Sequence, residues 1–430
     1  MISGLRNLRI VVALAAQHAC SADSNAASDD DAGRGAQPDV AAESVGDGTA
    51  ASQALDRWTY IQVDAARAAS RQGYGTFGLG FGDIDRDGDE DFVAGQYFYR
   101  NPGGDMTDPF ERVTLPRDPG VGGQILDASL LFDIEGTGTV DDVLAEDLPN
   151  LVWLKTLDAS GTTYSGKVVA QLPATYHADG RTAKIAHIYS AHPRPDVFLT
   201  GNGGIFVLSP PVDPDTSNWP IVQITTSTME EQKGLGVADF DRDGHLDVAA
   251  PLGVQQTKVG WWRNTDSPLL PWTGYPVGAT DLQTKMVEAA DLNGDGRVDV
   301  IATEEANPST VYWFEAPPDP MTGTWVRHMM DGGLAEIDSL SVGDMNQDGN
   351  VDVVVGETLG AKRVIIFENS AAAGKPGDHF IPHIVGAGKE SHNGVRLIDL
   401  NHDGALDIVS IAYFDFQYLH VWRNDALRIP

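Results

Sequence analysis

The sequence predicts an all-β fold, a seven-bladed β-propeller of four-stranded blades. Three observations support this prediction. Five segments follow the pattern D-x-[DN]-x-D-G-x-x-D, four of them recur at intervals of 52, 53 and 55 residues, and β-branched and aromatic stretches flank each one. The recurring segments start at Asp239, Asp291, Asp344 and Asp399. A repeat of this length with strand-like flanks is typical of propeller blades.

The first 55 residues precede this repeat. Residues 1–20 have the features of a signal peptide, with a short apolar run ending at Ala16 and Cys20 where a bacterial lipoprotein carries its lipid. Residues 21–55 are rich in Ala, Ser, Asp and Gly and are predicted to be a disordered acidic linker. We therefore expect an exported protein that is extracellular, periplasmic or anchored to the outer membrane, either secreted or with a lipid anchor at Cys20.

Composition excludes several classes of protein. The chain has 62 acidic and 29 basic side chains and a net charge of −33, which excludes a nucleic-acid binder because phosphate contacts need clustered Lys and Arg. A single cysteine excludes a disulfide framework and a Cys-rich zinc site. No transmembrane helix is predicted, because no segment of the mature chain reaches 18 apolar residues. We expect a monomer.

Two further repeats complete a set of seven. The first intact loop starts at Asp83, and a degenerate copy runs from Asp133 to Asp141. From Asp133 to Asp239 is 106 residues, about two periods, so an eroded repeat is predicted near residue 188, with its tail at Pro195–Gly201.

Each repeat supplies four strands in a fixed order. An apolar stretch precedes the loop, a β-branched run follows it, and a third stretch is aromatic, as in Val311–Phe314. A fourth strand is predicted to begin with an aromatic residue, at Phe110, Trp219, Trp272, Trp325 and Phe380. The recurring Trp and Phe residues are interpreted as packing between blades.

The last repeat lacks room for a fourth strand. Its third strand, Leu419–Trp422, ends eight residues before the C-terminus, while Trp58–Val63 has strand character and no blade of its own. We predict that these two segments pair and close the ring, which defines a single propeller domain over residues 56–430.

The repeats resemble the FG-GAP or VCBS family, found in the propellers of integrin alpha chains, some fungal lectins and many exported bacterial proteins. The resemblance covers roughly residues 56 to 426 and rests on the five intact loops. It implies a binding or adhesion role with a glycan or protein ligand. Blades two and three depart from the family pattern.

The Asp loops themselves predict calcium. Ca²⁺ takes six to eight oxygen ligands, and alternating carboxylates on a tight turn supply them. An EF-hand is excluded because loop position 12 is never Glu and the flanks are strand-like. About five sites are expected, in which position 7 contributes its carbonyl and position 6 is the glycine of the turn. The predicted ligands are Asp83, Asp85, Asp87, Asp89 and Asp91; Asp239, Asp241, Asp243, His245 and Asp247; Asp291, Asn293, Asp295, Arg297 and Asp299; Asp344, Asn346, Asp348, Asn350 and Asp352; Asp399, Asn401, Asp403, Ala405 and Asp407.

A second candidate site lies at the opposite face, where the inner strands begin. Seven polar positions six to nine residues before the loops are predicted to line the mouth of the central channel: Gln124, Arg181, Glu231, Lys233, Lys285, Glu336 and His392. They are interpreted as a ligand-binding funnel.

Two other functions remain open. One is a carbohydrate-active enzyme (a lyase, dehydratase or hydrolase) with His392, Lys285 and Glu336 as acid–base groups, and the other is a surface scaffold. No catalytic motif is recognised: the only G-x-G-x-x-G, at Gly73–Gly78, leads into an Asp loop and not into a helix.

Overall fold

The fold consists of β-strands only over the part of the chain that the computed structural model describes. That part comprises residues 55–68, 78–116, 127–140, 142–147, 150–171, 183–201, 204–216, 218–225, 234–252, 257–267, 271–370, 376–377, 379–391, 395–412, 414–415 and 417–426. Within these ranges, 28 strands form seven four-stranded antiparallel sheets, and none of the residues is helical. The predicted seven-bladed propeller is confirmed.

The strands are numbered along the chain, and the blades are numbered by their inner strands. Blades 1 to 3 comprise β2 (Gly80–Gly82), β3 (Asp91–Ala94), β4 (Tyr97–Arg100) and β5 (Glu111–Thr114); β6 (Asp127–Phe132), β7 (Asp142–Asp147), β8 (Asn150–Thr156) and β9 (Tyr164–Gln171); β10 (Lys184–Ala186), β11 (Asp196–Gly201), β12 (Gly204–Leu208) and β13 (Ile221–Gln223). Blades 4 and 5 comprise β14 (Gly236–Ala238), β15 (Asp247–Leu252), β16 (Lys258–Arg263) and β17 (Thr273–Ala279); β18 (Thr284–Ala290), β19 (Asp299–Glu304), β20 (Ser309–Glu315) and β21 (Val326–Leu334). Blades 6 and 7 comprise β22 (Ile337–Gly343), β23 (Asp352–Glu357), β24 (Val364–Asn369) and β25 (Phe380–Gly386); β26 (Arg396–Ile398), β27 (Asp407–Ile411), β28 (Leu419–Asn424) and the N-terminal β1 (Trp58–Asp64).

Ring closure follows the prediction made from Trp58. Strand β1 pairs antiparallel with β28, with Trp58 opposite Asn424 and Tyr60 opposite Trp422. The sheet order of blade 7 is β1-β28-β27-β26, so the two ends of the propeller share one sheet. The pairing covers the edge that β28 would otherwise expose.

Apolar cores lie between neighbouring blades. Seven clusters of buried residues occur among the described residues, one for each blade-to-blade interface. Trp153 of blade 2 packs on Trp219 of blade 3 with ring centroids 5.9 Å apart, and Phe198 of blade 3 meets Trp272 of blade 4 at 5.8 Å. These contacts confirm that the recurring aromatic residues pack between blades.

The aromatic residue predicted to begin each fourth strand stands slightly earlier in most blades. Phe110, Trp272 and Trp325 immediately precede their strands, and Trp219 precedes β13 by two residues, whereas Phe380 is the first residue of β25. The aromatic side chain packs into the core between blades just before the exposed outer strand begins. Its burial therefore does not require the residue to be hydrogen-bonded within the sheet.

The degenerate repeats still form complete blades. Blade 3 has all four strands, and Asp196 stands at the start of β11, as the intervals predicted. The predicted signal peptide and nearly all of the acidic linker, residues 1–54, lie outside the described residues. Within the described ranges, no helix is long and apolar enough to span a membrane.

Candidate metal loops and channel residues

The first aspartate of each loop holds the turn through its side chain. In blade 1, Asp83 Oδ1 accepts a hydrogen bond from the amide of Asp87 at 3.0 Å, and Oδ2 accepts one from Gly88 at 3.1 Å. The same pair of bonds forms in the other four intact loops. It also forms at Asp133, with distances of 2.8 and 2.7 Å. The turn therefore persists even in the degenerate loop, where Thr137 replaces the aspartate of position 5.

Two residues of each loop adopt a left-handed backbone. Loop position 6 is always glycine, with φ between 78° and 99° in the six loops. Loop position 4 is also left-handed, and in four blades it is a non-glycine residue such as Arg242, with φ 62°. Because an L side chain is disfavoured there, the repeated glycine at position 6 reflects the backbone that the turn requires.

Carboxylates converge inside two of the loops. In blade 1, oxygen atoms of Asp83, Asp85 and Asp91 lie within 4.8 Å of one another. Asp239, Asp241 and Asp247 form the equivalent group in blade 4. Blades 5, 6 and 7 have asparagine at position 3, which supplies a neutral oxygen in place of a carboxylate. An all-oxygen donor set on a short turn fits a hard cation such as Ca²⁺.

The ninth residue of each loop, the closing aspartate, has a structural role of its own. In blade 5, Asp299 Oδ2 accepts a hydrogen bond from Leu292 at 3.0 Å and Oδ1 accepts one from Ala316 at 2.8 Å. The closing aspartates of the other intact loops bond in the same way, and all five are fully buried. Burial raises the pKa of Asp91 and Asp247 to about 8, against the opposing effect of these amide donors. The closing aspartate thus ties the loop to the end of the third strand, a role that the calcium prediction did not include.

A charged residue at the end of the third strand faces loop position 3. Arg100 Nε lies 2.5 Å from Asp85 Oδ2 in blade 1. In blade 4, Arg263 pairs with Asp241 and, at 2.8 Å, with Asp243. In blade 2, whose loop is degenerate, Lys155 pairs with Glu135.

The sign of this charge differs in two of the three blades whose loop position 3 is neutral, since blade 7, with Asn401, keeps a cation, Arg423. Blades 5 and 6 have Asn293 and Asn346 at loop position 3, and Glu315 and Glu368 at the end of the third strand. A cation therefore neutralises the loop in blades 1 and 4, while blades 5 and 6 add a carboxylate instead.

Buried asparagines connect the loops of blades 1, 4, 6 and 7 with the preceding blade. In blade 6, Asn369 Nδ2 donates to Leu292 O of blade 5 at 2.7 Å and to Val351 O of its own loop at 3.1 Å. Equivalent paired bonds are made by Asn101, Asn264 and Asn424. Sequence analysis missed these residues, although the signal was present: an asparagine follows the aromatic third strand in Tyr99-Arg-Asn, Trp262-Arg-Asn, Phe367-Glu-Asn and Trp422-Arg-Asn.

Neighbouring loops also contact one another directly. The side chains at position 4 donate to the glycine carbonyl at position 6 of the next blade, from Arg242 to Gly296 and from Gln347 to Gly404. His402 Nε2 makes the same contact with Gly88 O at 2.9 Å and so links blade 7 to blade 1. The Asp loops therefore form a partly connected ring on one face.

Two of the seven predicted channel-mouth residues fall within the described ranges. Lys285 is 4% exposed, and its Nζ lies 2.8 Å from Glu305 Oε1 and 3.0 Å from Asp338 Oδ1. Glu336 is half-buried, and burial followed by the Asp338 charge raises its pKa to about 7, although Lys285 opposes the shift. The structure thus brings Lys285 and Glu336 into one electrostatic cluster. The other five, Gln124, Arg181, Glu231, Lys233 and His392, lie outside the described residues.

Comparison with known proteins supports the repeat assignment. Residues 291–355 and 344–410 each match the FG-GAP-like repeat. No curated protein sequence matches the chain.

Several solved structures align with this chain at low identity. A lectin from Agrocybe aegerita, described as recognising non-reducing terminal N-acetylglucosamine, is 16% identical, with 76% of this chain and 80% of that chain covered and a TM-score of 0.48. A rhamnogalacturonan lyase from Bacillus licheniformis is 13% identical, with 84% and 75% covered and a TM-score of 0.42. The rhamnogalacturonan lyase YesW is 14% identical, with the same coverage and a TM-score of 0.44.

Proposed function

We propose that this chain is an exported, calcium-stabilised β-propeller that acts as a binding or adhesion module for a glycan or protein ligand. The observation that carries the proposal is the convergence of three carboxylates in the loops of blades 1 and 4. Such groups repel one another unless a cation or a proton intervenes. The repeat places related loops in blades 5, 6 and 7, which gives about five candidate sites.

The donor chemistry favours calcium over other metals. Loop positions 1, 3, 5 and 9 offer carboxylate or amide oxygens, and position 7 offers a backbone carbonyl, so no thiolate or imidazole is needed. His245, at position 7, would contribute through its main chain. Calcium supplies positive charge that holds these oxygens together, and the chain's own amide donors orient them.

Calcium would contribute a large share of the stability. Extracellular calcium modules bind with dissociation constants of about 10⁻⁴ to 10⁻³ M. At ten times that concentration, one site adds about 1.4 kcal/mol to the free energy of unfolding, and five sites add about 7 kcal/mol. That sum is comparable to the whole stability of an ordinary domain. Calcium would thus serve the role that disulfides serve in other exported proteins, since this chain has one cysteine.

A calcium titration tests the metal part of the proposal. The chain is treated with EGTA, dialysed and titrated with CaCl₂ in a calorimeter while its melting temperature is followed in parallel. We expect saturable binding with a stoichiometry near five and a rising melting temperature. Absence of binding, or an unchanged melting curve, would remove calcium from the proposal.

A carbohydrate-active enzyme is the second candidate, and the cluster at Glu336 is the observation that favours it. A carboxyl group with a pKa near 7 is suited to exchange protons at neutral pH. Lys285, however, is buried and already paired with Glu305 and Asp338, so it is poorly placed to act as a free base. The binding function therefore stands first.

A paired assay separates the two candidates. The calcium-loaded chain is applied to a glycan array, and the same preparation is screened for release of reducing sugar or unsaturated uronate. Binding without turnover supports the module, whereas turnover that Glu336→Gln abolishes while leaving binding intact would establish the enzyme. If neither binding nor turnover is found with glycans, a protein ligand or a scaffold role becomes the explanation.

A further inference from the structure

Seven equivalent residues of the inner strands surround the axis of the propeller at one level. In each inner strand, one residue pairs with the closing aspartate of the blade, or with the equivalent residue in the degenerate blades, and the residue meant here stands two positions before it. In this register Lys184 is opposite Phe198, Glu288 is opposite Ile301, and Arg396 is opposite Val409. We call this set the channel level. Its other members are Gly80, Leu130, Gly236 and Ser341.

An ion pair shows that long side chains at this level reach the channel. Lys184 Nζ lies 2.6 Å from Glu288 Oε1, although these residues belong to blades 3 and 5, with blade 4 between them. Blade 4 contributes only Gly236 at this level, so no side chain of that blade separates the two groups here. Lys184 is 9% exposed and Glu288 is 4% exposed, so the pair is largely shielded from water.

Arg396 brings a third charge to the same place. It is 4% exposed, and burial lowers its pKa to about 10, while Glu288 opposes the shift. Burial lowers the pKa of Lys184, the Glu288 charge raises it, and the Arg396 guanidinium lowers it further. The three groups therefore interact electrostatically. Among the described residues, Arg396 Nε has no hydrogen-bond partner.

The donors at this level outnumber the acceptors. Two buried cations share one carboxylate, which leaves an excess positive charge, and burying a charge without a partner is costly. Ser341 stands at the same level in blade 6, beside the blade of Arg396, and its buried hydroxyl also lacks a partner within the described ranges. Within the described ranges, the Arg396 Nε–H and the Ser341 hydroxyl thus have no acceptor, and the Lys184 ammonium has a single carboxylate.

We propose that the channel level binds a small anion through Arg396, Lys184 and Ser341, with Glu288 holding Lys184 in position. The ligand is an oxyanion, either a free inorganic ion of the sulfate type or the carboxylate of an acidic sugar. Both present negatively charged oxygens that accept from a guanidinium, an ammonium and a hydroxyl. This site is separate from the Asp loops and does not depend on calcium.

Thermal melting with defined anions tests the proposal. The full chain, loaded with calcium in a buffer without other oxyanions, is titrated with sodium sulfate, sodium glucuronate or neutral glucose. We expect sulfate or glucuronate to raise the melting temperature saturably, by roughly 2 °C at ten times the dissociation constant, and glucose to have no effect. Saturation by sulfate alone identifies a free oxyanion as the ligand, and tighter saturation by glucuronate identifies a sugar carboxylate.

Variants distinguish a specific site from a general salt effect. Arg396→Met should lose the saturable shift, whereas Lys258→Met, which removes an exposed cation from β16, should keep it. Should Arg396→Met fail to fold, Ser341→Ala removes one donor and should weaken the apparent affinity several-fold. The proposal is overturned if the wild-type chain shows no saturable shift with either anion, since the chain itself would then balance the charge. It is equally overturned if Arg396→Met and the wild type respond alike.

A crystallographic measurement gives an independent answer. Selenate replaces sulfate in the soak, and its anomalous signal is expected within hydrogen-bond distance of Arg396 Nε. A channel level that holds only water in such crystals would contradict the proposal.

Discussion

The hydroxyl of Tyr60 lies 2.7 Å from Nδ1 of His420, across 360 residues of sequence. The contact joins β1 to β28 and therefore spans the seam that closes the ring. Burial, followed by the Lys389 and Arg67 charges, lowers the pKa of His420 to about 3, while burial raises the pKa of Tyr60. The imidazole is thus neutral in the folded protein, and its Nδ1 forms a hydrogen bond with the Tyr60 hydroxyl.

The first prediction is that ring closure weakens in mild acid. The pKa of His420 is 6.5 when unfolded and about 3 when folded, so protons bind preferentially to the unfolded chain between these values. The stabilisation is present above pH 6.5 and is lost progressively as the pH falls towards 3. At pH 5 the loss should be about 2 kcal/mol.

Urea unfolding at pH 7.5 and pH 5 measures this loss, with His420→Gln as the control. Glutamine can still accept from Tyr60 but does not titrate, so the pH dependence of the variant should be smaller by that amount. The other titratable groups contribute equally to the pH dependence of the free energy of unfolding in both proteins. If the free energy of unfolding falls by the same amount between pH 7.5 and pH 5 in both proteins, His420 does not titrate as its burial indicates.

The second prediction compares two aspartates with the same hydrogen bonds. Asp239 and Asp133 both hold the amides at loop positions 5 and 6, but only Asp239 belongs to a convergent carboxylate group. In calcium, Asp239→Asn should lower the free energy of unfolding by about 1.4 kcal/mol more than Asp133→Asn, because it empties one site. With EGTA the two variants should be similar. A difference that persists in EGTA would mean that the two turns differ for reasons other than metal binding.

The third prediction concerns the arginine that faces the loop of blade 4. Arg263 pairs with Asp241 and Asp243, so it competes with a metal for the charge of those carboxylates. Arg263→Met should lower the melting temperature in EGTA, because the carboxylates lose the guanidinium that pairs with them. In calcium it should tighten binding at this loop by roughly fivefold, about 1 kcal/mol.

The calcium concentration that gives half-maximal stabilisation is the measurement. Arg327→Met is the matched control, since Arg327 of blade 5 pairs with Asp281, in the connection between blades 4 and 5, away from the Asp loops. Weaker calcium binding in Arg263→Met would show that the guanidinium organises the loop and does not compete with the metal.

The fourth prediction tests the buried asparagines between blades. Asn369 donates to two main-chain carbonyls and accepts from Gly377 at 2.6 Å. Asn369→Ala leaves these buried groups unpaired and should cost about 2 to 3 kcal/mol. Thr324→Ala, at an exposed position, should change the free energy of unfolding by less than about 0.5 kcal/mol. An Asn369→Ala protein as stable as this control would mean that water replaces the lost bonds.

The seven-bladed propeller could be predicted from the sequence because the repeat is unusually regular. The interval from Asp133 to Asp239 located the eroded blade 3, and the strand character at Trp58 located the missing outer strand of blade 7. The roles of individual loop residues were harder to predict. In the loop motif, Asp299 cannot be told apart from an aspartate that only binds metal. Its burial and its hydrogen bonds with Leu292 and Ala316 depend on the third strand, which lies outside the motif.

The contacts in the central channel were even harder to predict from the sequence. Lys184 and Glu288 are 104 residues apart, and nothing in either repeat indicates that they meet. Their pairing depends on Gly236, which provides no side chain in the blade between them. Interactions across the axis join blades that are not neighbours, so a motif repeated within one blade cannot reveal them.

The last prediction concerns the dependence of the whole ring on β1. Trp58, Tyr60 and Ile61 are paired with Asn424, Trp422 and Val421 of β28. Leu55, three residues before β1, is fully buried in the core between blades 6 and 7. A chain that begins at residue 51 keeps all of these groups and should melt like the full-length protein. A chain that begins at residue 65 loses the strand, exposes the edge of β28 and opens the ring between residues about 360 apart, so its melting temperature should fall by roughly 10 °C and it should associate through the free edge. Differential scanning calorimetry in calcium, with light scattering for association, distinguishes these outcomes. Equal melting temperatures for the two truncated chains would show that the propeller closes without β1.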